Sequence, residues 1–236
     1  MDSFSVNCVV ITIYNYPLSF IELIGTAFGL CSVALAAREK VLNYPIGLIN
    51  VILFFLIFYQ VQLYSDMILQ VYFFIISIYG WWRWLSPTGE FEAKANHELR
   101  ITNNTLKTNT GYILLVAIGV VILGTVVKNL HLWLPTIFKL PAAFPYLDSY
   151  VAVASMVAMY LLARKKLENW ILWISVDALC IVLYFVKNIK LMSFEYLLFF
   201  LIASFGLWNW FKEFRESQFE NSGKVNVDYE PSKLME

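Results

Sequence analysis

The sequence predicts an all-α membrane protein of seven transmembrane helices, built as two parallel three-helix repeats joined by a linker helix. Three observations predict it. Of the 236 residues, 60% are hydrophobic and only 14% are charged; a soluble domain carries about 45–50% apolar and about 25% charged residues. The apolar residues gather into seven runs of about 17–20, each near the minimum that crosses a roughly 30 Å hydrocarbon core. The chain also matches itself at an offset of 126 residues.

The elements follow in order. Residues 1–18 contain VNCVVITIYNYP, too short to span, and read as an outer or interfacial helix or strand ending near Pro17. The first repeat occupies residues 19–84, with spans at Phe20–Ala37, Tyr44–Val61 and Met67–Trp84. Arg38-Glu39-Lys40 closes the first span, and Arg83 with a tryptophan cluster closes the third. Residues 85–110 are a polar loop. Residues 111–145 hold the linker span, Gly111–Leu130, and then a segment whose Pro135, Pro141 and Pro145 oppose continuous helix. The second repeat is 146–211, with spans at Tyr146–Ala163, Asn169–Asn188 and Phe194–Phe211. The tail, 212–236, is polar and predicted to fray.

Seven spans sort the loops into two sides. One side carries thirteen of the seventeen Lys and Arg residues, and the other carries Lys128, Lys139, Lys187 and Lys190. Cationic loops stay in the cytoplasm, so the N-terminus is predicted outside and the C-terminus inside. Met1 to Tyr16 has neither a basic region nor a small-residue cleavage site, so the first span is expected to act as the insertion signal.

In the self-match, Arg38, Lys40 and Asn43 meet Arg164, Lys166 and Asn169, and Gly80-Trp81-Trp82-Arg83-Trp84 meets Gly206-Leu207-Trp208-Asn209-Trp210. Eleven of 48 ungapped positions from Ala37 to Trp84 are identical. Glu22 meets Asp148, an acid at the start of each repeat. A repeat of three spans would insert inverted if it followed directly; the linker span restores the orientation. In such proteins substrate sites lie near the midplane, between the repeats.

The stretch NWILWISVDALCIVLYFVKN carries the chemistry. On a helix, Asn169, Trp173, Asp177, Tyr184 and Asn188 fall within about a 100° arc, with Trp170 at its edge. A carboxylate inside a span costs about 2.5–3.5 kcal/mol on insertion scales, so it faces a bundle interior or a cavity. This face offers an anion, flat aromatics and amides, which suits a planar, cationic ring bearing hydroxyls. The alternative is tryptophan anchoring and helix–helix hydrogen bonding. In the second span Asn43, Gly47, Asn50 and Phe54 share a face, with Gly47 and Val51 where the other half has Trp173 and Asp177. Gln70 is the central polar group of the third span, and Glu195 lies one turn into the seventh. Asn50 and Gln70 read equally as site residues or as interhelical hydrogen-bonders, and Glu195 as a site residue or a solvated interface acid. Gly47, Gly80 and Gly206 read first as points of close helix approach. The tryptophans beside Arg83 and Lys212 read as an aromatic belt.

Other classes lack support. Net charge is zero, so nothing points to nucleic acid. Cys8, Cys31 and Cys180 follow no motif spacing and form no disulfide framework. His97 and His131 lie in loops apart from the acids. No H-E-x-x-H, Walker loop or G-x-S-x-G occurs, so neither an enzyme nor a cofactor is expected.

NYPIGLINVILFFLIFYQVQLYSDMILQVYFFIISIYGWWRW, ENWILWISVDALCIVLYF and SFEYLLFFLIASFGLWNW closely resemble the PnuC family of nicotinamide riboside transporters, from about Ser19 to Trp210. The most specific piece is Trp170-x-x-Trp173 with Asp177 four residues on. The resemblance implies a 3+1+3 arrangement like a full-length version of the SWEET fold, homotrimers in the bacterial inner membrane, and facilitated diffusion. It also implies a cytoplasmic nicotinamide riboside kinase that traps the substrate. Cation–π contact with the pyridinium is worth about 0.5–2 kcal/mol; Asp177 supplies a counter-charge, and Asn50, Gln70 and Asn188 take hydroxyls or the carboxamide. Some relatives carry Asn where this chain has Asp177, so the need for the charge is open. Relatives import thiamine or riboflavin, and thiamine is also a cationic aromatic; a scaffold or sensor subunit is the alternative of another class.

Overall fold

A computed structural model describes residues 5–13, 16–86, 99–134 and 141–227, the side chains of 64, 65 and 219–227 excepted. A short antiparallel hairpin, β1 (Val9–Ile13) and β2 (Tyr16–Ser19), precedes seven helices among these residues. They are α1 (Phe20–Ala37), α2 (Asn43–Gln60), α3 (Tyr64–Leu85), α4 (Leu106–Trp133), α5 (Pro145–Ala163), α6 (Glu168–Val186) and α7 (Lys190–Val227). All but α3 are long and apolar enough to cross a membrane, which makes this a multi-pass membrane protein. At 22 residues α3 also has the length; Asp66, Gln70, Ser77 and Arg83 lower its apolarity.

Local chemistry sets most of the helix ends. Ser19 opens α1 through a capping box: its hydroxyl accepts from the Glu22 amide at 3.3 Å, and the Glu22 carboxylate accepts from the Ser19 amide at 3.5 Å. Thr105 caps α4, accepting from the Thr108 amide at 3.3 Å, so this helix starts at Leu106 rather than at Gly111. It also continues through Trp133, beyond Leu130. Pro145 is the first residue of α5, where its missing N–H costs nothing. Glu39, Gln62, Lys165 and Asn188 each have positive φ just beyond a helix, which stops α1, α2, α5 and α6.

The tail corrects an expectation. Instead of fraying after Phe211, α7 runs on to Val227. Good helix formers and an exposed Lys212–Glu216 pair at 3.9 Å, one turn apart, favour the helix. Residues 1–4, 14–15, 87–98, 135–140 and 228–236, including His97, Pro135 and most of the expected polar loop, lie outside the described residues.

Six helices close a ring: α1 packs on α2, α2 on α3, α3 on α5, α5 on α6, α6 on α7, and α7 returns to α1. Outside the ring, α4 lies along α5. Positions 126 apart take matching roles in this ring. Tyr44 meets Trp84 edge-on, centroids 5.2 Å apart at 89°, and Trp170 meets Trp210 at 5.4 Å and 87°. Asn43 donates to the Lys40 carbonyl at 2.7 Å, and Asn169 to the Lys166 carbonyl at 2.6 Å. The indole of Trp84 donates to the Leu162 carbonyl at 3.3 Å, and that of Trp210 to the Ala36 carbonyl at 3.1 Å. Gln62 and Asn188 both have φ 60.

Candidate functional site

A cavity of 70 Å³ lies inside the ring, lined by Ser32, Val33 and Ala36 of α1, Asn43, Tyr44 and Gly47 of α2, Ser77 of α3, Met159 and Leu162 of α5, and Trp170 and Trp173 of α6. Eight of these eleven form four pairs 126 apart: Val33 with Met159, Ala36 with Leu162, Tyr44 with Trp170, and Gly47 with Trp173. Each half thus supplies corresponding positions, but with different side chains. Gly47 leaves open what Trp173 fills opposite, and Ser32 and Ser77 add hydroxyls only on the first half's wall. No charged side chain is among the lining residues.

The helices explain the placement. Trp170 is fully buried because Gly206 on α7 admits its ring: a Cβ at 206 would stand 2.8 Å from three of its atoms. Gly80 admits Tyr44 in the same way on α3. Three buried polar atoms in this region have no hydrogen-bond partner among the described residues: the Tyr44 hydroxyl, the Asn169 side-chain oxygen and the Trp170 indole N–H. Each costs about 1–3 kcal/mol unless water or a ligand completes it.

Of the residues picked from the sequence, Asn43, Trp170 and Trp173 meet at the cavity. Asn169 is fully buried beside them. Asp177 lies one turn further along α6, 4% exposed, and its carboxylate accepts no hydrogen bond and meets no cation among the described residues. Asn50 donates to the Gly25 carbonyl at 2.8 Å and ties α2 to α1, the interhelical role left open by its sequence position. Gln70 is half-buried on α3, outside the cavity lining.

The other three stand toward the far end of α6. Tyr184 stacks on Tyr196 of α7, centroids 5.3 Å apart at 10°. Glu195 accepts from the Thr26 hydroxyl at 3.2 Å, joining α7 to α1. Asn188 is exposed in the turn after α6, where its left-handed backbone ends the helix, so it does not continue the face that carries Trp173. At this end Lys187 and Asp148 approach to 3.7 Å, and the Tyr16 phenol donates to the Glu22 carboxylate. Burial and that carboxylate push the Tyr16 phenol well above its usual range.

The sequence profile of the nicotinamide mononucleotide transporter family matches residues 19–212. The chain belongs to this family. It is 35% identical over 235 residues to the nicotinamide riboside transporter PnuC of Escherichia coli, covering 92% of this chain and 97% of that one. It is 29% identical over 182 residues to the PnuC of Neisseria mucosa, covering 77% of this chain and 65% of that one. The crystal structure of the Vitamin B3 transporter PnuC superposes with a TM-score of 0.62 at 23% identity, covering 84% of this chain and 83% of that chain, a likeness of fold.

Within this family member, sequence reasoning missed Ser32, Tyr44, Ser77 and Met159 as wall residues. One signal was available: Tyr44 is the 126-offset counterpart of Trp170, so a site built on Trp170 implicates it. Nothing comparable marks Ser32, whose hydroxyl donates to the Asn43 carbonyl at 2.8 Å.

Proposed function

We propose that this chain imports nicotinamide riboside across the bacterial inner membrane by facilitated diffusion, through a path between two parallel three-helix repeats. The observation that carries this reading is the cavity between the halves, walled by Trp170 and Trp173, with the buried carboxylate of Asp177, unpaired among the described residues, one turn beyond. Two tryptophan faces and an anion favour a planar cation, about 0.5–2 kcal/mol for each cation–π contact. That the PnuC relatives are nicotinamide riboside transporters supports the riboside. The family takes its name from the mononucleotide, but among the described residues no basic side chain lines the cavity to offset a phosphate.

Support for a 3+1+3 arrangement comes from the six-helix ring, from α4 outside it, and from the matched contacts at positions 126 apart. At 70 Å³ the cavity is far below the roughly 300–1,000 Å³ of sites for drug-sized ligands. Rocking of one half against the other widens it, opening each side in turn. The proposed orientation, N-terminus outside and C-terminus inside, follows from the thirteen-to-four excess of Lys and Arg. A cytoplasmic kinase then phosphorylates the riboside and traps it. The proposed assembly is a homotrimer.

The test is uptake by the purified protein in sealed liposomes, with calorimetric binding of nicotinamide riboside, its mononucleotide and thiamine in parallel. Riboside uptake that persists when proton and sodium gradients are collapsed supports the proposal. Binding of thiamine alone overturns the substrate, and strict dependence on a gradient overturns the passive mechanism.

A further inference from the structure

Beneath the cavity the two halves close on each other in a layer to which the transport reading gives no role. Glu39 and Lys165, 126 positions apart, follow the ends of α1 and α5, and their side chains meet at 2.9 Å. Both have left-handed backbone, φ 57 and φ 49. Lys165 is 3% exposed, with its ammonium 4.7 Å from the centre of the Trp84 ring. The Trp84 and Trp210 rings stand 6.0 Å apart, and each indole N–H bonds a backbone carbonyl of the opposite half. Asn209 of α7 donates to the Ala37 carbonyl at 3.0 Å. Leu99 and Ile101, from the segment before α4, pack into the same cluster, and Thr102 hydrogen-bonds the Lys165 carbonyl and the Leu167 amide beside it.

We infer that this layer is the gate at the end of the α1–α2 and α5–α6 turns, with the Glu39–Lys165 ion pair as its latch. The inference rests on the transport function proposed above, and the positive-inside orientation makes this the cytoplasmic gate. Ala36 and Leu162 line the cavity while their carbonyls accept the two indole bonds, so the floor of the cavity and the seam between the halves are one structure. Rocking the halves apart strains the Glu39–Lys165 pair, the two indole bonds and the Asn209–Ala37 bond together, because each of these runs from one half to the other. A buried ion pair suits a two-position contact. Closed, its charges compensate each other; an opened mouth admits water to both.

The experiment places Glu39→Cys and Lys165→Cys together in a full-length chain whose Cys8, Cys31 and Cys180 are replaced. A short bismaleimide then bridges the pair, and the same protein is compared before and after bridging. Riboside uptake into liposomes is expected to fall in proportion to the bridged fraction, while equilibrium binding in detergent stays within about twofold. Bridged protein that transports at its unbridged rate overturns the gate and makes the layer a fixed joint. Should that variant not fold, Ala37→Cys with Asn209→Cys spans the same seam and carries the same two outcomes. If the unsubstituted chain takes up no riboside, the transport function itself fails, and the gate with it.

Discussion

The ring of Trp170 occupies the space over Gly206, where a Cβ would stand 2.8 Å from three of its atoms. The glycine therefore sets the depth at which the indole sits and, through it, one wall of the cavity. Gly206→Ala is expected to cost about 1–3 kcal/mol by overpacking and to push the ring toward the cavity. A lower melting temperature in detergent and roughly tenfold weaker riboside binding are the expected readouts. Wild-type values for both would remove this contact from the account of the site.

Trp173 faces Gly47 in the pairing of the two halves, so the aromatic surface at that level comes from one side only. Trp173→Ala should weaken riboside binding about tenfold or more, with the loss of a cation–π contact and apolar area together. Trp173→Phe should recover part of it. Calorimetry on both variants separates ring stacking from bulk: equal losses would mean that the indole only fills space.

Asp177 is buried with no cation among the described residues, so a cationic ligand is the natural partner of a carboxylate there. Asp177→Asn keeps the shape and an acceptor oxygen but removes the charge. Binding of the cationic riboside is expected to fall about tenfold, while binding of its uncharged reduced form changes little. Equal effects on the two ligands would reduce Asp177 to a hydrogen-bond acceptor.

The Tyr16 phenol holds the hairpin to the start of α1 through Glu22, and its ionisation lies well above the usual range. The folded state therefore binds this proton more tightly than the unfolded chain. Its contribution is complete below the unfolded value of about 10 and declines as pH rises above it. Melting curves from pH 8 to pH 11 should show wild-type protein losing an advantage that Tyr16→Phe lacks at every pH in that range. Parallel curves for the two would show that the hairpin is held by other contacts.

Gln62 and Asn188 end α2 and α6 with the same φ of 60. Asparagine tolerates this conformation and glutamine does so at a cost. Gln62→Gly should raise stability by up to about 1 kcal/mol, read as a higher melting temperature. Asn188→Gly should change neither melting nor riboside affinity, because Asn188 is exposed in a turn outside the cavity lining. A marked loss of affinity on changing Asn188 would return it to the binding site.

The sequence by itself determined the helices, their order, the 126-residue correspondence and the tryptophan pair at the site. These follow from hydrophobic run length, charge at the turns and identity between the halves, all local or additive along the chain. It also placed Asp177 on the face of Trp173, since one helix carries both. It did not decide which other walls meet that face. Tyr44, Ser32 and Met159 come from helices whose rotation depends on Gly80, Gly206 and the crossed indole bonds, and those contacts exist only once the ring closes. The extension of α7 past Phe211 likewise lay beyond an apolar-run reading, because polar segments give no such signal; for residues 1–18 the sequence left helix and strand both open, and the β1–β2 pairing decides for strand. The pairing of Glu39 with Lys165 shows the division most plainly. The offset makes them counterparts, but only the packed bundle brings their charges within 2.9 Å.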